Sequence, residues 1–124
     1  YEVRAQYDSN NRKVTIKDGL LDYDNDEVFM VIAEEVYHAY EHDMMELYSQ
    51  TLTESQKSLW CFKDVGAWIK NNDSYVIGGN SSYEAYESQP IEEAAKEYAT
   101  YSWASYMQNI GDVVDVCYTD ENSD

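Results

Sequence analysis

Val3, Ala5 and Tyr7 alternate with Glu2, Arg4 and Gln6, and after a short gap Val14 and Ile16 resume the same period of two. Such alternation marks half-buried strands. Between them, Ser9-Asn10-Asn11-Arg12 carries two Asn, which tolerate left-handed backbone, so residues 2–8 and 13–17 read as a β-hairpin. Asp18-Gly19 breaks the sheet, and Asp24-Asn25-Asp26 offers an N-cap cluster. From residue 27 to about 49 there is no Gly or Pro, and Phe29, Ile32, Ala33, Val36, Tyr37, Tyr40 and Met44 recur at helical spacing. This predicts a long amphipathic helix. A second helical stretch opens at Thr53-Glu54-Ser55-Gln56, takes Leu59, Trp60, Phe62, Val65, Trp68 and Ile69 as its apolar set, and stops at Asn71-Asn72. Residues 73–89 read as loop, with a short strand around Tyr75-Val76-Ile77 and a turn at Gly78-Gly79-Asn80. Pro90 suits the first turn of a third helix running from 91 to about 109. Its Ala94, Ala95, Ala99 and Ala104 would let another helix approach closely. Ile110-Gly111 ends that helix, residues 113–118 read as a last strand, and 119–124 as an acidic tail.

The pattern describes one α+β domain, residues 1–118, and 124 residues are too few for two independent cores. Charge narrows the partners. Twenty-five Asp and Glu against eight Lys and Arg give a formal charge of −17, which repels phosphate backbones and sets nucleic acid aside. Such a surface suits cations, metal ions or a basic protein, or simply solubility. Thirteen Tyr and three Trp supply side chains suited to cleft walls and binding surfaces. No apolar run approaches the roughly 18–20 residues that span a bilayer, so no membrane partner is expected. No signal peptide is visible, and compartment and oligomeric state stay open. Cys61 and Cys117 lie in apolar stretches and are expected in the core, where a disulfide and buried free thiols both fit.

Both histidines of the chain, His38 and His42, fall on the long helix, in the run Glu34-Glu35-Val36-Tyr37-His38-Ala39-Tyr40-Glu41-His42. Residues four apart on a helix differ by about 40° around its axis, so Glu34 and His38 share a face, as do His38 and His42. A metal ion needs converging ligands, and this spacing supplies two. Blander readings stand beside this one. Glu34 and Glu35 also fit a solvated face, His38 could donate to a backbone carbonyl or to Glu92, and Glu92 falls at the N3 position of its helix, where Glu is favoured. On the other hand, Glu92 lies in line with Ala95, Ala99 and Ser102 on the small-residue face, where a carboxylate is costly unless paired or bound to metal. His38 with His42, completed by Glu35 or Glu41, is a second possible ligand set. Glu35-x-x-His38 also matches half of a di-iron bundle site, but no third histidine exists to complete the other half. Tyr83, Tyr86 and Tyr98 read as cleft walls or hydrogen-bond donors.

Three ordered segments resemble zincin metallopeptidases: the hairpin; Glu34-Glu35-Val36-Tyr37-His38-Ala39-Tyr40-Glu41; and Gln89-Pro90-Ile91-Glu92 followed by Tyr98-Ala99. In zincins a helix carries His-Glu-x-x-His, in which two His bind zinc and the Glu activates the attacking water. The resemblance implies a zincin-like α+β fold in which a hairpin or small sheet packs on a long active-site helix and two further helices. It further implies Glu35 as general base, His38 as second ligand, and Glu92 as third ligand of the glutamate-zincin type. Glu34 stands where the first histidine belongs. A carboxylate can ligate zinc, so Glu34, His38 and Glu92 are the implied metal set, with a polypeptide as substrate. The same resemblance admits a non-catalytic descendant that uses the scaffold to bind a protein partner.

Overall fold

The computed structural model describes residues 3–77 and 82–121, with side chains through residue 117. Strands β1 (Ala5–Asp8) and β2 (Lys13–Ile16) pair antiparallel, Ala5 opposite Ile16 and Asp8 opposite Lys13. Their turn is built on Asp8, whose Oδ1 accepts from the backbone N–H of Asn10 at 2.9 Å and whose Oδ2 accepts from Asn11 Nδ2 at 2.7 Å. The left-handed residue is not an Asn but Arg12, at φ 53°. Arg12 is tied to Asp43 of the long helix by two hydrogen bonds of 2.8 and 3.1 Å, which fasten the turn to the helical layer.

Helix α1 (Asn25–Tyr48) is the expected long helix. It is followed by α2 (Glu54–Lys57), α3 (Val65–Asp73), α4 (Tyr83–Glu87) and α5 (Pro90–Glu121), with 3-10 turns at Leu20–Asp22 and Trp60–Phe62. The architecture is α+β: a two-stranded sheet on one side of α1, with α5 packed along it more extensively than any other element and α3 closing the third side. Met45, Phe62, Val65, Trp68 and Ile91 form the core where α1, α3 and α5 meet. Ala95 and Ala99 are fully buried, consistent with the close approach expected from small residues on α5.

Several expectations are corrected. The single helical stretch over 53–72 is broken into α2, a 3-10 turn and α3, because Leu59 is extended (ψ 147°) after the Thr53–Gln56 capping box and the short α2. Leu59 and Trp60 consequently face solvent, while Phe62, Val65 and Trp68 are buried. Residues 75–77 form no strand, and residues 83–87 of the expected loop are helical. The turn expected at Gly78-Gly79-Asn80 lies outside the described residues. The last strand is absent too, since α5 runs on through Gly111 to Glu121 and takes in the start of the expected tail. A helix satisfies its backbone hydrogen bonds within the segment, whereas Val113-Val114-Asp115-Val116 would need a sheet edge to pair with. Cys61 and Cys117 are exposed free thiols rather than core residues. Among the described residues no helix is long and apolar enough to cross a membrane.

Candidate active site

The side chains of Glu35, His38, Glu41 and Met45 are buried along one side of α1. Opposite them stands the first turn of α5. Gln89 sets that turn in place: its Oε1 accepts from Asn71 Nδ2 (3.0 Å) and from the backbone N–H of Val76 (2.7 Å), and its Nε2 donates to the Val76 carbonyl at 2.9 Å. Asn71 Oδ1 in turn accepts from the backbone N–H of Ile91 at 3.1 Å. One buried amide thus knots α3, the 75–77 segment and α5 together. The same knot brings Tyr75 and Glu92 to face His38.

His38 sits between two carboxylates. Its Nδ1 is 2.8 Å from Glu41 Oε1, and its Nε2 is 3.2 Å from Glu92 Oε2. The second contact has the distance of an ion pair but not the alignment of a hydrogen bond, which leaves Nε2 buried without a hydrogen-bond partner. Glu92 Oε2 instead accepts from the Tyr75 hydroxyl at 2.6 Å. Burial opposes an imidazolium, but the Glu41 and Glu92 carboxylates outweigh it and raise His38 to about 10. Burial also pushes the Glu92 carboxyl up, and His38 with the hydroxyls of Tyr75 and Tyr86 more than reverses this, holding it below the usual range. Those hydroxyls are pushed far up by burial and by the Glu92 charge, so both remain protonated donors.

Glu35 is raised to about 7, chiefly by burial, with the His38 charge opposing the rise. Together with His38, Glu92, Tyr75 and Tyr86 it lines a cleft of about 310 Å³ whose far wall is β1, through Ala5, Gln6 and Tyr7. His42 also lines this cleft, its ring 5.6 Å from that of Tyr7, and burial lowers its pKa. Glu34 does not line that cleft. It borders the adjoining cavity, whose lining also includes Glu35, Glu92, Arg4 and Lys96, and burial and the Glu92 charge raise its carboxyl.

Of the four residues implied by the resemblance, the structure therefore brings Glu35, His38 and Glu92 to one cleft and places Glu34 beside it. A zinc ion fits part of this arrangement. Two ligand atoms on a tetrahedral zinc with bonds of about 2.0–2.1 Å stand about 3.3 Å apart, close to the His38–Glu92 spacing, and the chemistry of an imidazole and a carboxylate suits the ion. A third donor is not gathered with them: among the described residues no three His, Cys, Asp or Glu side chains form a group able to hold a metal ion. Sequence reasoning missed Tyr75, taken as part of a strand, and gave Glu41 only a place in a second ligand set. Tyr86 was named among possible cleft walls and does line the cleft. Tyr98 lies outside it, its ring tilted against that of Tyr37 at 4.8 Å. Comparison of the chain with protein-family models, curated proteins and solved structures gave no match in any of the three.

Proposed function

We propose that the domain is a metal-dependent peptidase of zincin type, with a polypeptide as substrate and zinc as cofactor. The observation that carries this reading is the buried His38 Nε2, which has no hydrogen bond and lies 3.2 Å from Glu92 while Nδ1 is held from behind. A buried imidazole nitrogen that faces a carboxylate at ion-pair distance without a hydrogen bond is uncommon, and its setting suits a ligand atom. His38 and Glu92 would hold the ion, and Glu34, which lines the adjoining cavity together with Glu92, would have to turn towards them to supply the third ligand. Zinc, when bound, supplies a Lewis acid that polarises a carbonyl and makes water more acidic.

The other tasks fall to the chain's own residues. Glu35, at about 7, is poised to accept a proton and return it near neutral pH. Tyr75 fixes the Glu92 carboxylate by donating to Oε2. Strand β1 is an edge strand whose residues line the cleft, so an extended peptide has backbone groups to pair with there. The test is calorimetric titration of zinc into the metal-free domain, with proteolysis assayed on the loaded protein. Binding that is lost in His38→Ala and in Glu92→Ala, together with proteolysis abolished by Glu35→Gln, supports the proposal. No binding in the native chain refutes it.

The position of Glu34 favours a second reading, a non-catalytic scaffold whose acidic, tyrosine-lined cleft binds a protein partner. Glu34→His separates the two. A gain of zinc affinity and activity over an inert native chain indicates the scaffold, and a loss of existing activity indicates a working ligand.

A further inference from the structure

We infer that Glu41 is a positioning residue: it holds the His38 ring so that Nε2, rather than Nδ1, is presented to Glu92 in the cleft. The inference rests on the zinc reading above and extends it to a residue outside the implied ligand set.

Glu41 is 0% exposed, among the most deeply buried side chains of the molecule, although it bears a carboxyl group and lies on a helix otherwise well supplied with exposed positions. A carboxylate buried to this degree is costly unless it is paired. Its pairing is incomplete. Oε1 meets His38 Nδ1 at 2.8 Å, and Oε2 is buried with no hydrogen-bond partner. An apolar side chain would fill the same space without that penalty, so packing alone does not account for a glutamate here. The Glu41 carboxyl oxygen occupies the hydrogen-bonding direction of Nδ1, so that nitrogen is engaged from behind and the ring is held in one orientation. Nε2 is then the nitrogen left for a ligand, and it points into the cleft 3.2 Å from Glu92 Oε2. Glu41 lies three residues after His38 on the same helix, so α1 itself fixes their relative placement. Carboxylates that orient a ligating histidine in this way typically change metal affinity by about 10–100-fold.

Two measurements on Glu41→Gln and Glu41→Leu test this. The ring nitrogens of His38 are followed by ¹⁵N NMR in the metal-free proteins, and zinc alone is titrated calorimetrically. The native chain should show a protonated, hydrogen-bonded Nδ1. Glu41→Gln, whose carboxamide oxygen still accepts, should keep that signature in weakened form and lose about 10-fold in zinc affinity. Glu41→Leu should lose the signature and about 100-fold in affinity. An unchanged Nδ1 signal and unchanged affinity in Glu41→Leu overturn the inference. Should Glu41→Leu not fold, Glu41→Gln decides alone, with an unchanged Nδ1 signal and affinity counting against the inference. Should the native chain bind no zinc, the peptidase reading fails by itself. The metal-free Nδ1 signal then decides whether Glu41 positions His38: its loss on substitution supports the inference and its persistence overturns it.

Discussion

The two halves of α5 reverse the usual relation between polarity and burial. In the first half Ile91, Ala95 and Ala99 are buried, and so is the charged Glu92. In the second, Ile110, Val113, Val114 and Val116 are all exposed, at 43–61%. Pairs between the helices explain the contrast: His38 faces Glu92, Tyr37 packs against Tyr98, and Phe29 lies 5.2 Å from Trp103. As α1 is followed back towards its start, its partners advance along α5, so the two helices run antiparallel. Helix α1 begins at Asn25, which borders a cavity with Met107 and Ile110. Past that point α5 has no α1 to pack against. Burial along this helix follows the neighbour and not the hydropathy of the residue.

The sharpest way to break the comparison is Glu92→Ala. It leaves His38 buried with only Glu41 for a partner, and removing one member of a buried ion pair typically costs about 3–5 kcal/mol. We expect the lower end, about 3 kcal/mol, because Glu41 remains; chemical denaturation measures it. Overpacking comes next. Ala99→Leu forces the α1–α5 interface apart and should cost about 1–3 kcal/mol, read from the denaturation midpoint at unchanged slope.

A pH series addresses the charged cluster as a whole. His38 is raised to about 10, so its contribution to stability is full below its unfolded value near 6.5 and is lost as pH climbs through about 10. Glu35 and Glu41, both raised to about 7, contribute fully below about 4.5 and lose that contribution as pH rises through about 7. Glu92, held low, works the other way and loses its contribution only as pH falls through its depressed value. The melting temperature should therefore be highest in mildly acidic solution and fall by several degrees between pH 6 and pH 10, and a rise over that interval would contradict the assignment. The smallest effect is expected in the exposed half of α5. Val114→Glu should stay within about 0.5 kcal/mol of the native chain by thermal melting, and a larger loss would mean that this face is covered in solution.

Much of this arrangement was legible in the residues. The hairpin followed from period-two alternation, α1 from apolar spacing and the missing Gly and Pro, and the start of α5 from Pro90. His38 and Glu92 stood out because imidazole is scarce in this chain and a glutamate in line with alanines is unusual. The end of α5 was misread because Gly111 and four β-branched or polar neighbours suggest a stop that only a competing sheet edge could have enforced. Tyr75 gave no signal at all, since its place in the cleft is set by the Gln89 knot fourteen residues downstream in the chain.

Glu34 and Glu41 mark the boundary between the two sources of information most clearly. They are seven residues apart, which places them within about 20° of each other around α1. By periodicity they are equivalent. Yet Glu41 is fully enclosed behind His38, while Glu34 is partly exposed and borders the adjoining cavity beside Arg4 and Lys96. The sequence by itself determined the hairpin, α1, the start of α5 and the helix face on which His38 stands, because these follow from local period and composition. Which of two equivalent carboxylates is enclosed was decided by tertiary structure alone, because it depends on where along its length α1 is covered by its neighbours.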